Sequence, residues 1–443
     1  MKGPAARVDR FKLASRRHVR ALLMDDDVIH DAVREHAETT GTPQHEGWRA
    51  VDGYIREIVP FFNVVAYFQV GYRAARWLLN LLYKVSVDFE EPEADARLPR
   101  DAVLVYVMNH RSNADYVLVS YALAGEVAIS YAVGEWARAF PLETVFKAFG
   151  SYFIRRRYRE PLYHTVLERY VQLITREGVT QGIFVEGGLT RDGRLRPPKI
   201  GLLDYVLGIG RDPAYAARLH VVPVAVNYDR VLEDRSLLRE LDVSTGGRRP
   251  SRRTQAWEVG RYLVANLARL AARRFRRYGR AAVVIGAPVP LGPWFASQSD
   301  LFTLEKHDRL ARVQTLCDGL LVRVGALVPV TPVPLVCAAV QSFDAEFIPR
   351  PALMARIGEM HAVLAELNAR DLSADRSAEE TFDRAWRMLR MRHVLAETGD
   401  GYLVLPRGRP LVSYYANSVA HLLGPFVSAV RARDALPVMA GLR

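Results

Sequence analysis

The sequence predicts an α/β fold: a central mixed sheet flanked by helices, with helical regions before and after it in the chain. Three observations carry this expectation. Between Asp101 and Pro290 short apolar runs alternate with helical stretches, as in a layered α/β core. Up to about Phe89, and again after Pro293, apolar residues recur at helical spacing instead. The 443 residues are 50% hydrophobic, enough for one large core or two to three ordinary domains. The expected division is 1–95, a helical membrane-associating region; 96–294, the α/β domain; and 295–443, a helical domain.

In the first region Val28–Ala37 and Trp48–Ile58 are candidate amphipathic helices joined by the turn Thr39-Thr40-Gly41-Thr42-Pro43. The longest apolar tract runs from Ile58 to Val85. Pro60 breaks its start and Arg73, Arg76 and Lys84 interrupt it, which argues against a spanning helix. Trp77, Leu78, Leu81 and Leu82 fall at helical spacing beside Arg73, Arg76 and Asn80. This pattern suits a helix lying in a membrane interface and, equally, a core helix. Glu90–Arg100, rich in acid and proline, reads as a linker. Strands are expected at Val103–Val107, Tyr152–Ile154, Gly182–Val185, Leu219–Val226 and Ala281–Ile285; Pro223 inside the fourth suits an edge or a bulge. Leu310–Val328, Ala352–Leu367 and Thr381–Leu395 read as helices of the last region. Neither an internal repeat nor a low-complexity tract is evident.

The net charge of +12 calls for an anionic partner. Ser251–Arg280 holds Arg252, Arg253, Arg261, Arg269, Arg273, Arg274, Arg276 and Arg277 against Glu258, with Leu263, Leu267 and Leu270 as an apolar stripe. Such a helix can lie on an anionic bilayer or form a solvated outer helix. Nucleic acid is not expected, because no helix-turn-helix, zinc finger or aromatic RNA-binding motif accompanies the arginines. Cys317 and Cys337 are too few for a disulfide framework and lack metal-ligand spacing, so no metal is expected and a reducing setting is favoured. The amino-terminal residues lack the apolar core of a secretory signal.

Four clusters bear on chemistry. In Met108-Asn109-His110-Arg111-Ser112-Asn113-Ala114-Asp115-Tyr116, an imidazole and a carboxylate follow a strand and precede a helix over Tyr116–Leu123. A carboxylate accepting from one ring nitrogen fixes the tautomer and leaves the other free to act as a base. Taken alone, a His and Asp at this spacing more often form an ordinary turn-stabilising hydrogen bond. Ser112 is expected to cap the helix, which leaves the hydroxyl to be activated on the substrate. Gly150 to Arg157 ends a strand with Arg155, Arg156 and Arg157, a phosphate site or a solvated basic edge. Phe184-Val185-Glu186-Gly187-Gly188-Leu189-Thr190-Arg191-Asp192-Gly193, followed by Pro197-Pro198-Lys199-Ile200-Gly201, offers a carboxylate, amides, an arginine and a lysine, though it is not the phosphate loop of nucleotide hydrolases. Val221 to Asp229 forms the fourth.

In this order the clusters resemble the four sequence blocks of the glycerol-3-phosphate acyltransferases, in particular the large bacterial membrane-bound type related to the dihydroxyacetone-phosphate acyltransferases. Ala50–Ile58, Leu79–Tyr83 and Leu411–Ser418 resemble flanking stretches of the same proteins. The resemblance implies a glycerolipid acyltransferase-like fold and acyl transfer from acyl-CoA or acyl carrier protein, as co-substrate with no other cofactor, to glycerol 3-phosphate. It implies His110 as base and Asp115 as its orienting acid. Arg155, Glu186, Gly187, Gly188, Thr190, Arg191, Lys199 and Pro223 become substrate-binding candidates, with Glu186 organising its loop. The expected location is the cytoplasmic face of the cell membrane, held peripherally or monotopically on an anionic surface. One departure stands out: Leu189 and Thr190 occupy the places where the family usually has arginine and serine. This keeps a different acceptor open, dihydroxyacetone phosphate or another alcohol, and beside it a catalytically silent membrane scaffold.

Overall fold

The computed structural model describes residues 10–93, 98–123, 127–134, 142–155, 158–244 and 277–440. Eight strands form one mixed sheet: β1 (Lys84–Phe89), β2 (Val103–Met108), β3 (Ser130–Val133), β4 (Tyr152–Phe153), β5 (Gln181–Phe184), β6 (Leu219–Tyr228), β7 (Arg280–Ile285) and β8 (Val289–Pro290). Their order in space is β1-β7-β6-β2-β5-β3-β4, with β8 also against β6. Strands β6, β2, β5, β3 and β4 are parallel, and β7 and β8 run against β6. The five strands expected from sequence are all present, their ends moved by one or two residues.

Side chains alternate across a strand, so each central strand feeds two cores. On β2, Leu104, Tyr106 and Met108 enter one core while Val103, Val105 and Val107 enter the other. The second core is covered by the amino-terminal helices Arg16–Met24, Asp27–Thr40 and Gln44–Ile58 together with Pro161–Arg176, Gly201–Leu207 and Lys306–Ala326. The first is covered by Tyr72–Leu82, Asp115–Ala122 and the helices Pro332–Ser342, Arg350–Glu366, Ala378–Met391 and Arg409–Asn417. The region 295–443 thus straddles the sheet, with its longest early helix on the face opposite the rest.

Several expectations are corrected. Residues to Phe89 read as helical, yet Lys84–Phe89 is an edge strand parallel to β7, from Lys84↔Arg280 to Phe89↔Ile285. Its Val85-Ser86-Val87 alternation was hidden at the end of an apolar helical tract. The carboxy-terminal region also contains a small antiparallel sheet, β9 (Phe347–Pro349), β10 (Leu395–Thr398) and β11 (Gly401–Val404). The helix expected to reach Leu395 stops at Met391, and His393 turns the chain at φ +53° into β10. Pro223 lies in an interior, fully buried strand rather than at an edge. Its carbonyl accepts from Gly286 N (2.8 Å), where β6 changes partner from β7 to β8; the missing N–H faces that gap and breaks no ladder bond. The basic stretch from 251 to 276 lies outside the described residues, as do Arg156 and Arg157.

The apolar tract becomes a π-helical turn, Ala66–Gly71, running into helix Tyr72–Leu82. Trp77 (63% exposed) and Leu78 face outward, whereas Leu82 packs on the first core, so the expected stripe is split. No helix among the described residues is long and apolar enough to cross a membrane.

Candidate active site

The loops after β2 and β5, neighbours in the middle of the sheet, carry the first and third clusters. Both leave the carboxyl ends of parallel strands beside β2, where successive connections depart in opposite directions, the usual ligand crevice of such a sheet. His110 Nδ1 lies 3.0 Å from Asp115 Oδ2. The same oxygen accepts from Arg111 N (2.7 Å) and Ser112 N (3.0 Å), and Asp115 Oδ1 accepts from the Tyr228 hydroxyl (2.6 Å). With four donors aimed at it, the fully buried carboxylate has one orientation, and it fixes the ring. The imidazole stacks on Phe184 (4.0 Å between centroids) and meets Tyr116 edge-on. Its side chain is 2% exposed, and Nε2 has no hydrogen-bond partner among the described residues.

Glu186 bridges the two loops. One oxygen accepts from His110 N (2.8 Å) and the other from Arg196 N (2.9 Å). Burial raises its pKa above the usual carboxylate range, while the Arg111 charge and these two amides pull the other way. Gly187, at φ +64°, leaves room for the Lys199 side chain that lies across it, and its N–H is used by Phe184 O (3.0 Å). Thr190 N donates to His110 O (3.3 Å), and its hydroxyl bonds Asp192 and accepts from Gly193 N, which makes it part of the loop's frame. Ser112 Oγ does accept from Ala114 N (3.1 Å), but the residue preceding the helix is Ala114, and the hydroxyl proton goes to Glu233 (2.7 Å).

The basic candidates separate. Lys199 is exposed and without an ion-pair partner among the described residues. Arg191 pairs with Glu240 (3.0 Å) at the surface. Arg155 is held by Glu57 through two hydrogen bonds (2.8 and 2.5 Å), with Tyr54, Tyr158 and Tyr163 around its guanidinium. Pro223 has the parity of Val221 and Ala225, which line the core opposite His110, and its ring lies by Gly286. The structure therefore gathers His110, Asp115, Glu186, Gly187, Gly188, Thr190 and Lys199, and sets Arg155 and Pro223 apart.

Sequence reasoning gave no role to Arg111, Tyr228, Glu233 and Arg196. Arg111 is buried and donates to Gly193 O and Ser418 O (3.0 Å). Arg196 reaches Leu189 O (3.3 Å). Strand alternation could have found Tyr228, which shares the parity of Val222, Val224 and Val226 on the His110 side.

Residues 91–227, which hold this histidine–carboxylate pair and the glycine loop, match the family described as Acyltransferase. Residues 264–426 match the Glycerol-3-phosphate acyltransferase C-terminal region. The chain is similar over most of its length to glycerol-3-phosphate acyltransferases. It is 27% identical over 430 residues to the glycerol-3-phosphate acyltransferase of Aeromonas hydrophila, covering 93% of this chain and 50% of that protein. The proteins of the same description from Pseudoalteromonas translucida and Actinobacillus succinogenes are 23% and 26% identical, with the same coverage. The chain spans about half the length of these curated relatives. The crystal structure of the 1-acyl-sn-glycerophosphate acyltransferase of Thermotoga maritima matches 69% of this chain and 96% of its own, at 16% identity and a TM-score of 0.31.

Proposed function

We propose that this chain moves a fatty acyl group from acyl-CoA or acyl carrier protein to the sn-1 hydroxyl of glycerol 3-phosphate, forming lysophosphatidic acid for phospholipid synthesis. One observation carries it: a histidine with one nitrogen held by Asp115 and the other without a hydrogen-bond partner among the described residues. Nε2 accepts the hydroxyl proton as the oxygen attacks the thioester carbonyl. The new C–O bond replaces the C–S bond, and the imidazolium returns its proton to the departing thiolate. No acyl-enzyme is needed, since the thioester is already activated. Cys317 and Cys337 are buried, and burial pushes the Cys317 thiol up to about 12, away from nucleophilic use.

The amides of Arg111, Ser112, Asn113 and Ala114 are all engaged, as is that of Gly187, whereas those of Gly188 and Leu189 have no hydrogen-bond partner among the described residues; in this reading the Gly188 N–H donates to the developing oxyanion. Lys199 supplies the cation for the acceptor phosphate, with Arg191 able to exchange its surface partner for the same task. Leu189 packs against the apolar core and brings no charge where the family usually has arginine, which favours testing dihydroxyacetone phosphate as a second acceptor. The deciding assay is purified protein with labelled glycerol 3-phosphate or dihydroxyacetone phosphate and palmitoyl-CoA or palmitoyl-acyl carrier protein. Turnover with glycerol 3-phosphate is expected; silence with every pair sinks the reading.

The reading includes an anionic bilayer on the cytoplasmic face, bound without crossing. Phe61, Val64, Val65, Val70, Trp77 and Leu78 are exposed within eighteen residues, next to Arg73 and Arg76, and no Asp or Glu occurs from Ile58 to Val87. Flotation with phosphatidylglycerol vesicles should exceed flotation with phosphatidylcholine, and Trp77→Ser with Leu78→Ser should weaken both. Equal flotation of that variant removes this surface.

A further inference from the structure

The two loops of the site do not rest only on each other. In the loop after β5, Asp192 O accepts from Asn417 Nδ2 (2.9 Å), and Gly193 sits at φ +89° directly against the Tyr414 carbonyl, where any Cβ would collide with that oxygen. Arg111, from the loop after β2, reaches Gly193 O with one arm of its guanidinium and Ser418 O with the other. The loop after β2 has a second attachment. Glu233 accepts from Ser112 Oγ (2.7 Å) and Asn113 N (3.1 Å), and its neighbour Asp234 accepts from Arg392 (2.7 Å) and from the Tyr415 hydroxyl (2.7 Å). Tyr415 Oη in turn accepts from Val231 N (3.2 Å). Asp234, Arg392 and Tyr415 are buried, so these are low-dielectric, directional links. Residues 414–418, the end of helix Arg409–Asn417, thereby touch both the base-bearing loop and the glycine loop.

We propose that this helix end is a clamp that sets the distance between His110 and the Gly187–Lys199 loop, with Asn417 and Tyr415 as positioning residues for the acyl transfer. The proposal rests on the acyl-transfer reading of the site. Neither residue reaches the base itself; each acts through a backbone carbonyl or through Asp234 and Glu233. A reacting geometry displaced by about 1 Å can cost on the order of a hundredfold in rate, so a clamp this close to the base is expected to govern kcat more than binding.

The experiment compares three variants of the full chain. Asn417→Ala removes the tie to Asp192 O, Tyr415→Phe removes the tie to Asp234, and Ile357→Val trims a buried residue of the neighbouring helix that touches neither loop. Kinetics and amide hydrogen exchange across residues 188–196 are both read. The clamp predicts that Asn417→Ala lowers kcat about tenfold or more with donor KM within about twofold, and speeds exchange in that loop. Tyr415→Phe should lower kcat in the same way, and it carries the test if Asn417→Ala does not fold. Ile357→Val should lower the melting temperature and leave kcat and loop exchange alone. The proposal is overturned if both clamp variants keep wild-type kcat, if exchange rises without loss of kcat, or if Ile357→Val loses as much activity as they do. If the wild-type protein turns over no substrate at all, the acyl-transfer reading fails, and loop exchange in Asn417→Ala alone decides whether the clamp exists.

Discussion

His110 and His361 each present Nδ1 to an aspartate, at 3.0 Å from Asp115 and 2.5 Å from Asp371, but their surroundings differ at the second nitrogen. His361 Nε2 lies 3.2 Å from Thr381 Oγ1, and Asp371 also accepts from Ser373 N (2.8 Å), so that trio ties helix Arg350–Glu366 to helix Ala378–Met391. In connectivity it mimics a hydroxyl–imidazole–carboxylate triad. The Thr381 hydroxyl is buried inside a helix, however, and takes up the second nitrogen of the ring. His110, on a loop at the carboxyl end of a central strand, has no hydrogen-bond partner at Nε2 among the described residues. The contrast shows that an imidazole–carboxylate pair is a joint until its second nitrogen is left open, and location on the sheet decides which case applies.

The largest effect should come from breaking the open pair. His110→Ala is expected to lower kcat by about 10²- to 10⁴-fold, the contribution of a positioned general base. Turnover at the wild-type rate would erase the distinction between the two histidines. Asp115→Asn, which keeps the shape but offers an amide to donors that now meet a carboxylate, should cost roughly 10²-fold or more, and Asp371→Asn should leave kcat unchanged. A common loss in both aspartate variants would mean that the carboxylates act through stability. His361→Ala measures the structural pair directly: urea titration should show about 1–3 kcal/mol lost, as for a buried hydrogen-bonded group deprived of its partner, with kcat retained.

How much of this was legible beforehand follows from the range of each interaction. His110 and Asp115 are five positions apart on a strand-to-helix turn, so their meeting is local and readable. The alternation of apolar runs gave the sheet, and four clusters in order gave the family. What escaped depends on distance along the chain. Tyr228 joins Asp115 across 113 residues, Glu186 joins His110 across 76, and Arg111 reaches Ser418 across 307. The arginine run alone leaves Arg155 between a phosphate site and a solvated edge, and the resemblance makes it a substrate-binding candidate; nothing nearby in sequence announces Glu57, 98 residues earlier. β1 escaped for the opposite reason: its alternation spans only six residues and borders a longer helical signal.

Lys199 and Arg155 sharpen the same lesson for cations, open against engaged. Lys199→Ala should raise the acceptor KM about tenfold with kcat nearly kept, as loss of a ground-state phosphate contact does. The smallest effect is expected at Arg155. Its guanidinium already satisfies Glu57 in a two-bond pair with three tyrosine rings around it, and a phosphate would have to displace that carboxylate before gaining anything. Arg155→Ala should therefore change the acceptor KM by less than about threefold, and cost on the order of 1 kcal/mol in stability because both partners remain partly exposed (27% and 16%). A tenfold rise in KM in that variant, matched by a fall in KM when Glu57→Gln releases the arginine, would show that substrate and Glu57 compete for one cation, and would return Arg155 to the phosphate site.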